Sequence, residues 1–239
     1  MKRNQNSINT KLPATLTNDA NTLYFSSYEI TGTPIKSNEN KFSKADQKKV
    51  DAIFEILLTN PKQAIEKLLA LKEIYPQAPV LYNYLSMAYS RVGNQKAMRK
   101  LITENYLINP GYLFAKINYA QLCLDKGEFE KIPEIFDHKF DLKLLYPHRN
   151  TFHVTEFAGF TGVMCAYYCS ISKLDPAKIS FDMLKKIAPE SMMVNYAKHF
   201  LHPSMVTKFQ RWVYKKRLGD LNELESKEQK EDHDYSLEA

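Results

Sequence analysis

The stretch PVLYNYLSMAYSRVGNQKAMRKLITENYLINP, residues 79–110, predicts two helices joined by a tight turn. Apolar side chains recur at helical intervals on both sides of Gly93, and Pro110 ends the second helix. The short side chains of Ser86 and Ala97 allow the two helices to approach each other closely. We therefore interpret the segment as a helical hairpin.

The hairpin pattern recurs along the chain. Gly93 and Gly127 are 34 residues apart, and Ala64 and Ala97 are 33 apart. Alanine also precedes a helix-ending proline by 12 or 13 residues in three places: Ala64 and Pro76, Ala97 and Pro110, Ala177 and Pro189. A period of this length is typical of stacked helix pairs, because each pair buries only part of its apolar surface and needs a neighbour.

These residues resemble the tetratricopeptide repeat family. The copy at 79–110 carries the family's aromatic, small, turn and closing residues at Tyr82, Leu85, Ser86, Tyr89, Gly93, Ala97 and Pro110. Three weaker copies end near Pro76, Phe136 and Pro189, so the resemblance covers residues 43–189. It implies an all-α fold, a tetratricopeptide-like helical-hairpin solenoid with a C-terminal capping helix pair at 190–218.

Composition divides the chain into three parts. Residues 1–42, rich in Asn, Thr and Ser, predict a disordered polar segment in which only 23–30 has extended character. The helical repeat domain is expected over 43–218, beginning where Ser43 can cap a first helix. Residues 219–239 predict an acidic disordered tail.

Three details of the helical domain are predicted from local signals. A sixth helix is expected from Glu128 onwards, followed by a loop over 138–150 and a seventh helix over 152–172. Asp175 followed by Pro176 predicts a capped start for the eighth helix. Two final helices are expected on either side of Pro203.

The net charge of +6 is unevenly distributed. Residues 220–239 carry eight acids and two lysines, a net −6, which leaves +12 on residues 1–219. A basic body suits an acidic partner, or a tail that folds back over it, although an ordinary solvated surface gives the same pattern. Three cysteines in 239 residues do not form a disulfide framework, so a reducing, cytoplasmic location is expected.

The resemblance also implies where a partner binds, since the first helices of successive repeats line a concave groove that holds a peptide or a helix. By position, the groove candidates are Asn83, Met87, Ser90, Phe114, Ile117, Asn118, Gln121, Gly162, Ala166 and Cys169. They lack the Lys/Asn/Arg cluster that clamps a terminal carboxylate in some relatives. The alternative is that they pack against another part of this chain, such as residues 1–42.

Two further features have a structural and a functional interpretation. Cys165 and Cys169 share a helix face and resemble half a metal site, but free cysteines are common core residues, and we predict no metal. In the helix expected at 204–218, Lys208, Arg211 and Lys215 form a basic surface. This helix suits a solvated cap, a partner helix or an acidic membrane surface.

His153 and Glu156 are the candidates for acid/base chemistry. They would share a face near a helix start, where a structural role is favoured, with Thr151 or Thr155 as the cap. The sequence contains no phosphate-binding loop, zinc-protease motif or nucleophile elbow, and nothing that matches a nucleic-acid-binding module. We predict no cofactor and no enzymatic activity.

The sequence therefore predicts a bacterial-type interaction scaffold or adaptor whose partner is another protein, with the oligomeric state open. The uncharged stretch FAGFTGVMCAYYCSIS, residues 157–172, is too short for a membrane span. A secretion-related protein is the alternative, either an exported effector or a secretion chaperone, because residues 1–18 lack acids and are rich in Asn, Ser and Thr.

Overall fold

The structure is a computed structural model that describes residues 27–35 and 41–203. Several predictions lie outside these residues: the second helix of the capping pair, the basic surface of Lys208, Arg211 and Lys215, the acidic tail, and most of the polar segment at 1–42.

Helices dominate the described part of the chain, which also contains two short strands and one 3₁₀ turn at Phe129–Lys131. The order is β1 (Glu29–Thr31), α1 (Lys44–Thr59), α2 (Pro61–Ile74), α3 (Pro79–Arg91), α4 (Gln95–Ile108), α5 (Leu113–Lys126), α6 (Ile132–Ile135), α7 (Leu142–Leu145), β2 (Thr151–His153), α8 (Val154–Ser170), α9 (Leu174–Ile187) and α10 (Met192–Leu201).

The helices form a solenoid of stacked pairs. The clearest hairpins are α1–α2, α3–α4 and α8–α9, and the first helices α1, α3, α5, α8 and α10 each pack against the next in that order. Helices α2, α4 and α9 also pack against the first helix of the following pair. This arrangement confirms the predicted all-α, tetratricopeptide-like helical-hairpin solenoid, with α10 stacked on its C-terminal end.

Local sequence signals set the helix ends. The side chains of Asn60 and Asn94 cap α2 and α4 by accepting hydrogen bonds from backbone N–H groups at 3.2 Å and 3.0 Å. Gly93 and Gly127 adopt left-handed φ angles of 78° and 81°, which glycine tolerates without steric cost. The predicted cap at Asp175 is wrong: α9 begins one residue earlier, at Leu174, so the Asp175 carboxylate lies inside the first turn.

Small residues lie where the helices approach one another. Ala64, Ala120, Cys165 and Ala177 have no exposed surface, as close packing of paired helices requires. Ala97 departs from this pattern and is only partly buried, in the first turn of α4. The recurring small residues therefore mark the helix contacts, although one of them is at the margin.

In the part of the chain that the structure describes, the apolar interior consists of two clusters. One lies within α1 to α4, around Leu57 and Leu68, and the other joins β1, β2 and α5 to α10, around Phe136 and Phe157. Burial of these side chains is the main favourable contribution to folding. The two clusters meet where α3, α4 and α5 adjoin. The contacts at this junction are polar and aromatic rather than aliphatic.

The third pair lacks a full second helix. Instead of one continuous helix from Glu128, the chain forms the 3₁₀ turn and the four-residue α6, which ends where Asp137 and His138 adopt left-handed φ angles of 52° and 55°. Lys116 of α5, only 6% exposed, donates to the Ile135 carbonyl (2.5 Å) and to Asp137 Oδ2 (3.2 Å). This buried ammonium satisfies a carbonyl at the end of α6, and the left-handed residues that follow turn the chain away from the helix.

The loop expected over 138–150 is also partly ordered, since α7 lies within it and Asp141 caps α7 with two backbone hydrogen bonds. β2 follows directly and pairs in parallel with β1, with Ile30 opposite Phe152. Tyr28 and Ile30 are buried in the same cluster as α6 and α7. β1 overlaps the extended stretch expected at 23–30, and its burial has a cause that local sequence does not reveal: Tyr28 and Ile30 complete a core formed by distant residues.

Candidate partner-binding face

The candidates on α3 and α5 form two neighbouring stripes. On each helix they occupy positions i, i+4 and i+7, which share one helix face: Asn83, Met87 and Ser90 on α3, and Phe114, Asn118 and Gln121 on α5. The side chains at the middle of this arrangement touch, since Asn118 Nδ2 donates to Asn83 Oδ1 at 3.1 Å. The structure thus brings Asn83 and Asn118 into direct contact, while the other four candidates lie along the same two helices.

Asn83 is held by its own protein more firmly than the sequence suggested. Its Oδ1 also accepts from Asn105 Nδ2 (3.0 Å), and its Nδ2 donates to the Tyr112 hydroxyl (3.2 Å). Asn105 is 2% exposed and donates a second bond to the Pro79 carbonyl (3.3 Å). Buried amides need such partners, so Asn83 links three helices at the junction of the two apolar clusters.

The accessible part of the face lies beside this amide junction. Ser90 is exposed, whereas Met87 and Phe114 are half-buried against the apolar clusters. On the α1 side of α3, Phe54 and Tyr84 pack with ring centroids 4.9 Å apart, and burial and the charge of Asp51 raise the pKa of Tyr84. The face therefore combines a methionine, a hydroxyl and aromatic edges around a polar centre.

The remaining candidates are covered by the chain itself. Ile117 is 3% exposed because α8 crosses it at Gly159, where a Cβ would lie 3.0 Å from Ile117 Cδ1. Gly162 and Ala166 are buried, and a Cβ at Gly162 would lie 2.6 Å from Met193 Cε of α10. These three residues are buried and therefore not open to a partner: α8 covers Ile117, and Met193 of α10 lies over Gly162.

α10 also extends beyond α8 to reach α5. Gln121 Nε2 lies 3.5 Å from the Met193 sulfur. One turn further along α5, the Asp125 carboxyl lies near Arg99 of α4 and near Tyr196 and His199 of α10. These three neighbours lower the pKa of Asp125, but desolvation by burial has a larger effect, so the pKa is raised. At Gln121 and Gly162 the predicted groove therefore packs against α10 of this chain, which agrees with the alternative that the candidates contact another part of the chain.

Cys169 lies next to Cys165 on α8 as predicted, and the hydrogen bond between them, together with burial, raises the pKa of Cys165. A raised pKa opposes the thiolate form that binds metals and reacts as a nucleophile. In the described part of the chain, no group of three or more His, Cys, Asp and Glu side chains is placed to hold a metal ion. We interpret both cysteines as core residues.

His153 and Glu156 are engaged at the start of α8. His153 itself is the cap, rather than Thr151 or Thr155: its Nδ1 accepts from the Thr155 N–H (3.2 Å), and its own N–H donates to Glu156 Oε2 (2.8 Å). Arg149 binds both carboxylate oxygens of Glu156 at 2.9 Å and 2.7 Å. These contacts give the pair a structural role at the helix entry.

The sequence analysis did not identify two residues that are important for the packing of this region. Met193 covers Gly162 and meets Gln121, and Asn105 connects Asn83 to the buried side of α3. An asparagine inside an otherwise apolar helix stripe was the available signal for Asn105, because a buried amide needs partners. No local signal identified Met193, since its contacts lie 31 and 72 residues away.

Comparisons with known proteins add little. No protein-family model matches the chain, and no curated protein matches it. Among solved structures, the chain is similar to "MamA RS-1 ArsTM double mutant", with a TM-score of 0.40 and 12% sequence identity over 72% of this chain and 96% of that one. A likeness at this level supports no conclusion about family or function. Among the helices within residues 27–35 and 41–203, none combines the length with the apolar character that crossing a membrane requires.

Proposed function

We propose that this protein is an interaction scaffold or adaptor that binds a segment of another protein on the face formed by α1, α3 and α5. The observation that carries the proposal is the pair of adjoining stripes on α3 and α5, joined at Asn83 and Asn118. The stripes expose Ser90 and leave Met87 and Phe114 half-buried.

The composition of this face suits an extended peptide or a helix. Half-buried apolar side chains supply contact area, and the amides and hydroxyl supply directional hydrogen bonds, the combination that binding sites use for affinity and orientation. The amide junction also fixes the spacing of α3 and α5, so the face is organised before a partner arrives. Preorganisation of this kind lowers the entropic cost of binding.

A peptide-display selection on the full chain tests the proposal. The variant Met87→Glu/Ser90→Glu places two carboxylates on the face, and Gln63→Glu/Ala70→Glu places two on exposed positions of α2 as the matched control. We expect the α3 variant to weaken binding of the selected peptides by about tenfold or more, which corresponds to about 1.4 kcal/mol, while the control leaves it unchanged. Equal affinities for the two variants would overturn the proposal.

An acidic partner, a cytoplasmic location and the absence of catalysis stay predictions from the sequence. The secretion alternative rests on residues 1–18, which lie outside the described residues, and no structural observation favours it.

A further inference from the structure

Three positive charges lie together on the exposed side of α4. They belong to Lys96, Arg99 and Lys100, which we call the basic patch, and all three side chains are exposed. These residues occupy positions i, i+3 and i+4, so they share one helix face. No Asp or Glu occurs between Glu73 and Glu104. The surrounding sequence therefore supplies no nearby carboxylate to balance the patch.

The charges of the basic patch are poorly compensated in the part of the chain that the structure describes. Lys96 lies in the first turn of α4, which contains no acid, so its charge opposes the positive end of the helix dipole. Lys96 and Lys100 also repel each other across one helical turn, and neither forms an ion pair with a described residue. The next acid along α4, Glu104, already pairs with Lys72 at 2.9 Å. Binding of a negatively charged segment would relieve this repulsion.

The last described helix ends close to the basic patch. The Asp125 carboxyl of α5 interacts electrostatically both with Arg99 of the patch and with His199 in the last turn of α10. α10 ends two residues later, at Leu201, and the described chain ends at Pro203. The chain beyond Pro203 therefore starts near the patch.

The acidic tail, residues 220–239, carries the charge that the patch lacks. It contains eight acids and two lysines, a net −6. Residues 204–219 join it to Pro203, and an extended chain of that length spans at most roughly 55 Å. The connection is therefore long enough for the tail to reach the patch, where opposite charges attract over about 8 Å at physiological ionic strength.

We propose that the acidic tail binds the basic patch of its own chain and masks it from other anionic molecules. Exposed ion pairs are individually weak, so several carboxylates act together, and the tether keeps them at a high effective concentration. The contact is reversible and weakens as the salt concentration rises. It uses the exposed side of α4 and does not depend on the partner-binding face of α1, α3 and α5.

Carbodiimide cross-linking of the full chain tests the proposal, because this reagent joins a lysine to a carboxylate that is in contact with it. Lys44 and Lys48 are the matched reference: they are exposed lysines in the first turn of α1 and one turn later, as Lys96 and Lys100 are in α4. At about 10 mM salt, we expect mass spectrometry to find links from the tail to the α4 pair at least about fivefold more often than to the α1 pair. This excess should disappear at about 1 M salt, where charges are screened within about 3 Å. A mixture of ¹⁵N-labelled and unlabelled protein identifies links between two molecules, which are left out of the count.

The variant Arg99→Glu reverses one charge of the patch and keeps both lysines available to the reagent. We expect links from the tail to Lys96 and Lys100 to fall by about threefold or more, whereas Lys67→Glu, on an exposed position of α2, should leave them unchanged. Equal linking of the α4 and α1 pairs in the unmodified chain would overturn the proposal. Tail links confined to the lysines of residues 204–219 would overturn it as well, because the tail would then bind the segment next to it in the sequence.

Discussion

Replacing Gly162 with Ala adds a methyl group where Met193 already lies. The new Cβ would be 2.6 Å from Met193 Cε, 3.0 Å from Met193 Cβ and 3.5 Å from the Met193 carbonyl oxygen. The flexible Cε can rotate away, but the contact with Cβ requires α10 itself to shift outward. Overpacking of this kind costs about 1–3 kcal/mol. Alanine in place of glycine inside a helix contributes about 1 kcal/mol in the opposite direction.

The balance predicts two separable effects of Gly162→Ala. We expect the global unfolding free energy in urea to fall by about 0–2 kcal/mol, because the gain in α8 offsets part of the loss. Hydrogen exchange in α10 should rise by about fivefold or more, the factor that corresponds to 1 kcal/mol. The control Gly111→Ala meets no atom within 4 Å and should leave exchange in α10 unchanged. A more stable Gly162→Ala protein with unaltered α10 protection would refute the reasoning.

Three further substitutions test other parts of the fold. Lys116→Met removes the donor from a buried α6 carbonyl, so urea titration should show a loss of about 1–3 kcal/mol, and an unchanged midpoint would contradict the role of that bond. Hydrogen bonds, that from Lys49 foremost, lower the pKa of Asp46 from its ordinary 3.8, so its contribution to stability is present above that pH and is lost on acidification. Asp46→Asn should therefore lose less stability than the unmodified protein between about pH 5 and pH 3, and parallel acid curves would argue against it. Burial raises the pKa of Tyr168 from 10.0 to about 12, so its contribution is intact below pH 10 and is lost as the pH rises to 12. Tyr168→Phe should show a shallower alkaline loss in unfolding measurements, and an equally steep loss would place the titration elsewhere.

Most of the fold was readable from the sequence because it is specified locally. The periodic apolar stripes of α1 to α5, the caps at Asn60 and Asn94 and the left-handed glycines at the turns each act within a few residues. Such signals depend on backbone sterics and nearby hydrogen bonds, so they do not require knowledge of tertiary contacts. The repeat period then predicted how the pairs stack.

The features that the sequence did not reveal are those that depend on contacts between residues distant in the sequence. The end of α6 is satisfied by Lys116 of another helix, and the burial of β1 depends on apolar residues that lie far from it in the sequence. For the candidate site, the repeat register placed Asn83 and Asn118 on neighbouring helices, and their amides are in contact. It could not show that Met193 returns over Gly162, because that contact joins residues with no repeat relationship.

The parallel pairing of β1 with β2 has a consequence for synthesis on the ribosome. Glu29 pairs with Thr151, so 122 residues must be added before the earlier strand can meet the later one. At about 5–20 residues per second, that interval is roughly 6–24 s. Helix pairs nearer the start can nucleate in this time, but β1 has no strand partner until β2 has emerged. The helix pairs of the solenoid can otherwise pack onto their neighbours in chain order. The pairing of β1 with β2 adds a late step that joins residues distant in the sequence.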